Sequence, residues 1–177
     1  MEILLGVSAS AACFKAAALA SLLVKEGHGV TAVLSAGAAR MVTPLQFSCL
    51  TGRATLSDEW QPQDPAGMDH IQLARRADAV LLVPATADRL ASIAHGLASD
   101  LLGSALLAVE VEKPRIAAPS MNPEMWRQPA VQRNVAQLQQ DGWQLVGPVS
   151  GSTACGEQGL GRMAEPAEIL QAVQALG

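Results

Sequence analysis

Four short, almost wholly apolar runs limit what this chain can fold into. They lie at residues 3–7, 30–34, 79–83 and 115–118. A strand with one wet face alternates apolar and polar residues, and these runs do not, so each needs cover on both faces. Segments of helical composition fall between them: 12–25, rich in Ala and Leu and closed by Gly27; 38–51, in two pieces around Pro44; 71–76; 87–95; and 101–109. Beyond the fourth run, the sequence predicts a helix over 129–140, a fifth strand over 144–146 and a closing helix over 166–176 with Pro166 in its first turn. Residues 52–69 read as loop, and so does most of 147–163, which is rich in glycine. Pro84 is expected to stop the third strand. Strands that alternate with helices build a parallel sheet with right-handed crossovers. The predicted fold class is α/β: a three-layer α/β/α sandwich with a parallel, Rossmann-like (flavodoxin-like) sheet. A length of 177 residues suits a single domain over 1–177.

Composition narrows the partners. The net charge is -4 and no Lys/Arg block occurs; the aromatics are two Phe, three Trp and no Tyr. Neither nucleic acid nor an anionic membrane surface fits that balance. No apolar run approaches the ~20 residues of a membrane span. Glu2 and Lys15 make the apolar start a first strand rather than a signal peptide. Cys13, Cys49 and Cys155 are widely spaced, without a CxxC pair, so neither a metal site nor a disulfide framework is expected. Cys13 and Cys49 read as small core residues on apolar helix faces. The expected location is the reducing cytoplasm.

The loops that leave the strands carry the chemistry. Their segments are Ser8-Ala9-Ser10-Ala11, Ser35-Ala36-Gly37, Ala85-Thr86-Ala87-Asp88 after Pro84, and Ser120-Met121-Asn122 after Pro119. Small side chains let backbone N–H groups approach a ligand, and helix N-termini favour anions, which suits a phosphate-bearing cofactor. Each hydroxyl also fits an ordinary helix N-cap. Neither GxGxxG nor GxxxxGK[ST] is present, which disfavours dinucleotide and P-loop sites. His28 precedes a strand and reads as solvated, and His95 lies at a helix end. His70 ends a long loop, where it suits a cap or a general base. Cys155 lies in a glycine-rich loop, where packing does not account for a thiol.

These pieces together resemble the homo-oligomeric flavin-containing cysteine decarboxylases. The resemblance runs from Gly6 to about Pro166. Its specific segments are His70-Ile71, Pro119-Ser120-Met121-Asn122-Pro123-Glu124-Met125-Trp126, and Ala154-Cys155-Gly156 with Gly159 and Gly161-Arg162-Met163. It implies FMN across the strand ends, touched by Ser8, Ala9, Ser10, Ala11, Ser35, Gly37, Ala85, Thr86, Ala87, Asp88 and Ser120. It implies His70 as the catalytic base and Cys155 as the proton donor of the last step. Asn122 would hold the substrate carboxylate, with Met125, Ala154, Gly156, Arg162 and Met163 around the substrate and Arg75 as a further anion contact. The segment at about 147–163 would be a flexible clamp over the substrate. The implied substrate is a small molecule, phosphopantothenoylcysteine, and the implied assembly a trimer or a dodecamer of trimers. In the family scheme, flavin oxidation of the thiol gives a thioaldehyde, loss of CO2 gives an enethiol, and reduction with protonation gives the thiol. Two further readings stand beside it: decarboxylation of a peptide's C-terminal cysteine, and a flavin-binding regulatory subunit without turnover. The chain ends at Gly177 without a ligase domain, which fits a stand-alone enzyme, an excised domain or a specialised paralogue.

Overall fold

Five parallel strands form the central sheet in the order β2-β1-β3-β4-β5. They are β1 (Glu2–Val7), β2 (Gly29–Leu34), β3 (Ala79–Ala85), β4 (Arg115–Pro119) and β5 (Trp143–Leu145). The computed structural model describes residues 1–152 and 156–176. This strand order is the flavodoxin-like one, in which the chain reverses direction across the sheet between β1 and β3. In register, Ile3 lies opposite both Val30 and Ala79.

Among the described residues, eight α-helices cover the sheet: α1 (Cys13–Lys25), α2 (Pro44–Thr51), α3 (Asp69–Arg76), α4 (Ala87–Ala94), α5 (Leu101–Ala108), α6 (Pro123–Arg127), α7 (Pro129–Gln140) and α8 (Pro166–Gln174). Successive strand residues point to opposite faces. Ile3, Leu5 and Val7 therefore join a core with α1, α2 and α8, while Leu4 joins the opposite core with α3, α4, α5 and α7. This two-sided burial is the reason the strands read as continuous apolar runs. Leu5, Leu19, Leu81 and Leu102 are fully buried, each contributing about 1.5–3 kcal/mol relative to exposure.

Local chemistry sets the helix ends. Thr43 caps α2 through Gln46 N–H, Pro44 takes the first helical position, and Gly52 closes the helix in the left-handed region. Thr86 caps α4, Asp100 caps α5, and Asn122 caps α6. Glu165 and Glu168 form a reciprocal capping box at α8.

Three expectations need correction. The third strand does not stop at Pro84 but runs to Ala85. Proline has no N–H to donate, yet its carbonyl still accepts: Pro84 O takes bonds from Ser8 N–H and Ser8 Oγ. Residues 147–163 are not mostly loop. They carry an antiparallel hairpin of β6 (Val149–Ser152) and β7 (Gln158–Arg162), in which Gly151 pairs with Gly159. Glycine is depleted in strands generally, so composition concealed the hairpin. Cys13 is buried, but Cys49 is exposed, because α2 buries only Phe47.

Among the described residues no helix is long and apolar enough to cross a membrane, and no cluster of His, Cys, Asp and Glu is placed to hold a metal ion.

Candidate functional site

The carboxyl ends of β1 and β3 are stitched together at the switch point. Ser8 Oγ donates to Pro84 O at 2.7 Å and accepts from Thr86 N–H at 3.0 Å. Ligands in open α/β sheets bind at this crevice. A cavity of about 530 Å³ opens there, walled by the loops after β1, β2 and β3. It takes in Ser8, Ala9, Ser10, Ser35, Gly37, Thr86, Asp88 and Ser120, all of them expected from the sequence. The β1 and β2 loops approach closely: a Cβ at Gly37 would meet the Ala9 Cβ at 2.8 Å. Ser35 Oγ accepts from Ala38 N–H, which leaves its own proton free to donate.

A second cavity, of about 490 Å³, lies beside the first. The two share Ser10 and Ser120, whose hydroxyls stand 2.9 Å apart. Residues 10–15, the loop after β4 and the hairpin form its walls. Met121 N–H donates to Gly161 O at 3.0 Å, and a Cβ at Gly161 would overlap the Met121 carbonyl oxygen. Glycine is therefore required at this close approach. Asn122 serves two purposes. Its Oδ1 accepts from Glu124 N–H to cap α6, while its Nδ2 donates to Glu157 Oε2 at 2.6 Å. Arg162 and Met163 also line this trough, as expected from the sequence.

Several expected residues fall elsewhere. Ala11 lines the trough rather than the first cavity, Met125 lines the first cavity rather than the trough, and Ala85 is fully buried. Ala87 and His70 are half-buried. Neither they nor Gly156 belong to the described walls of either cavity. Arg75 lines a third cavity, of about 610 Å³, with Arg53 and Arg76. Ala154 and Cys155 lie outside the described residues.

The sequence analysis assigns no site role to three charged residues that the structure places at the cavities. Arg89, buried, donates through both terminal nitrogens to Asp100, at 2.9 and 2.5 Å, and both residues line the first cavity. Burial alone would raise the Asp100 pKa. The Arg89 hydrogen bonds, the Gly103 N–H and the Arg89 charge outweigh it and hold the carboxyl below its ordinary range. Lys15 lines the trough and donates to Glu165 Oε1 at 2.8 Å. That hydrogen bond, with the charges of Lys15 and Arg162, keeps the Glu165 pKa low against the opposing effect of burial. Asp100 could have been found as a cap before an apolar helix, but the pairing of Lys15 with a residue 150 positions away has no local signal.

The family model described as Flavoprotein matches residues 1–176. The chain belongs to the Flavoprotein family. It is 38% identical to the probable phosphopantothenoylcysteine decarboxylase of Streptococcus mutans, covering 98% of this chain and 97% of the relative. It is 41% identical to the coenzyme A biosynthesis bifunctional protein CoaBC of Haemophilus influenzae over 97% of this chain, but spans only 42% of that relative's length. Among solved structures, it resembles a PPC decarboxylase variant complexed with pantothenoylaminoethenethiol, with a TM-score of 0.89, 32% identity, and 99% and 97% of the two chains covered. It also resembles the FMN-dependent cysteine decarboxylase SpaF, with a TM-score of 0.84, 31% identity, and 100% and 98% covered. These likenesses cover the residues that line both cavities and those of the hairpin.

Proposed function

We propose that this chain is an FMN-dependent decarboxylase that converts 4'-phospho-N-pantothenoylcysteine to 4'-phosphopantetheine in coenzyme A biosynthesis. One observation carries the reading: a cofactor-sized cavity at the sheet's switch point shares a wall, Ser10 and Ser120, with a trough that presents a carboxamide, Asn122. The 38% identity to a relative of nearly equal length supports it.

The residues present fit FMN. The cavity's volume lies in the ~300–1,000 Å³ range of cofactor sites. Its walls are small and hydroxyl-bearing, and any side chain at Gly37 would intrude on Ala9. Arg89 Nε is buried without a hydrogen-bond partner at the same cavity. Ser10, Ser35, Thr86 and Ser120 would hold the cofactor, while Ser8, committed to Pro84 and Thr86, maintains the shape of the crevice. When bound, FMN supplies the two-electron oxidation and reduction of the substrate's cysteine moiety.

The chain's own residues do the rest. Asn122 orients the departing carboxylate through a neutral amide. A cation there would stabilise the ground-state carboxylate and oppose loss of CO2. His70 accepts a proton as general base. Because it walls neither cavity of its own chain, this reading includes a homo-oligomer in which His70 serves a neighbouring subunit's site. Cys155 returns a proton at the end, from a segment at about 147–163 that clamps the substrate. The free thiols Cys13 and Cys49 suit a reducing cytoplasm.

The test is an absorption spectrum of the purified protein with its released cofactor identified, followed by CO2 release from the phosphorylated cysteine substrate. Bound FMN with CO2 release and a saturated thiol product supports the reading. A colourless protein that takes up no FMN defeats it. Turnover of a peptide C-terminal cysteine alone replaces it with the peptide reading.

A further inference from the structure

Among the described residues, only Ser10 and Ser120 wall both cavities, and their hydroxyl oxygens stand 2.9 Å apart. Ser120 is buried just beyond β4, and Ser10 is half-buried in the loop after β1. Their backbone N–H groups are already committed, Ser10 to Cys13 Sγ at 3.5 Å and Ser120 to Ala85 O at 2.9 Å. The hydroxyls are therefore the donors these residues have left. A serine hydroxyl has one proton and two lone pairs. The bond between the oxygens uses one proton and one lone pair. Ala12 N–H, at 3.2 Å from Ser10 Oγ, uses a second lone pair. One proton and two lone pairs remain. That count is the same whichever serine donates; the direction of the bond decides only which oxygen carries the spare proton. Two cavities thus compete for one donor.

We infer that this pair is a one-proton switch that gives its spare proton to the cofactor and its lone pairs to the substrate's thiol. The inference rests on the decarboxylase reading above and deepens it. FMN, the cofactor of that reading, carries acceptors at its phosphate and along most of its ring edge. The first cavity, once filled, therefore draws the spare proton. Lone pairs alone then face the trough, and there they accept from a donor. The reacting end of the trough's ligand must meet the cofactor, and the described walls of the two cavities meet at this pair. The donor at that end is the thiol S–H. No proton leaves its oxygen; the two hydroxyls turn together. Ser120 is thereby a positioning residue for the thiol. A ligand that donates at this point holds the pair in the direction FMN favours, so each tightens the binding of the other by the same factor.

The direct test is a neutron structure of the FMN-loaded protein crystallised from heavy water. One deuteron should lie between the two oxygens, and the other should point into the first cavity. A second deuteron that points into the trough, or a pair with no deuteron between its oxygens, overturns the inference. The second test titrates flavin-free protein with FMN, followed by quenching of FMN fluorescence. It is run with and without 4'-phosphopantetheine or its desthio analogue, in which hydrogen replaces the thiol. In wild type, the thiol should tighten FMN binding about 3- to 10-fold more than the desthio analogue does, the effect of one hydrogen bond. Ser120→Ala should erase that difference, and Ser120→Thr, which keeps the hydroxyl, should retain it. Equal effects of the two ligands in wild type, a difference that survives Ser120→Ala, or one that Ser120→Thr also loses overturns the inference. A protein that binds neither ligand and releases no CO2 from the cysteine substrate refutes the decarboxylase reading, and the deuteron positions then decide the inference alone.

Discussion

The Asn122 amide donates to the Glu157 carboxylate at 2.6 Å. The group proposed to receive the substrate's carboxylate thus already holds a carboxylate of the chain itself. Glu157→Gln keeps a hydrogen-bonding partner for Asn122 but removes the charge that competes with the substrate. The expected result is a KM lowered about two- to tenfold with little change in kcat, from steady-state CO2 release. Asn122→Ala should lower kcat/KM by about 10- to 100-fold, as expected for a lost bond to a charged group.

His70→Asn keeps size and polarity but cannot act as a base near neutral pH. CO2 release should fall by about 10²–10⁴-fold, the usual contribution of a positioned base, while the flavin spectrum of the purified protein stays unchanged. Unaltered turnover would remove His70 from the mechanism.

Cys155→Ser replaces a thiol with a far weaker acid. CO2 release should continue, but the product should be the enethiol, two hydrogens lighter than the thiol by mass spectrometry. A normal thiol product would place the proton donor elsewhere.

Gly161→Ala forces a Cβ onto the Met121 carbonyl oxygen, a backbone atom that cannot swing away. Over-packing of this kind costs about 1–3 kcal/mol. Urea unfolding should register that loss, and KM should rise because β7 and the Asn122 loop are pushed apart.

Asp100 has a folded-state pKa below its ordinary value of 3.8. Such a group stabilises the fold fully above the unfolded-state value. The contribution is lost as pH falls through the lower folded value. Acid unfolding curves should therefore lose part of their slope below about pH 4 in Asp100→Asn. That variant should also be less stable at neutral pH by about 3–5 kcal/mol, because buried Arg89 loses its partner.

Much of the architecture was legible because it rests on local periodicity. Strands buried on both faces leave apolar runs, and Ala/Leu-rich segments ending in glycine leave helices. The hairpin was hidden because its backbone pairing needs no characteristic side chains: Gly151 faces Gly159. The hydroxyl loops were readable as a group, since each leaves the end of a strand. The charged parts of the site were not. Arg89 and Asp100 meet across two helices, and Lys15 meets Glu165 only because α8 packs beside α1. His70 stands out by residue type and motif, yet it lies outside the described walls of both cavities, and the sequence carries no signal for that placement.

The shared wall of the two cavities bears on inhibitor design. A compound grown from the trough towards the cofactor must cross between Ser10 and Ser120, whose hydroxyls bond to each other at 2.9 Å. A compound that carries both a donor and an acceptor at that crossing replaces the bond it breaks. A purely hydrocarbon bridge strands two hydroxyls, a loss of about 1–3 kcal/mol for each group left buried and unpaired. Medicinal chemistry on this protein therefore turns on two oxygen atoms that line both cavities at once.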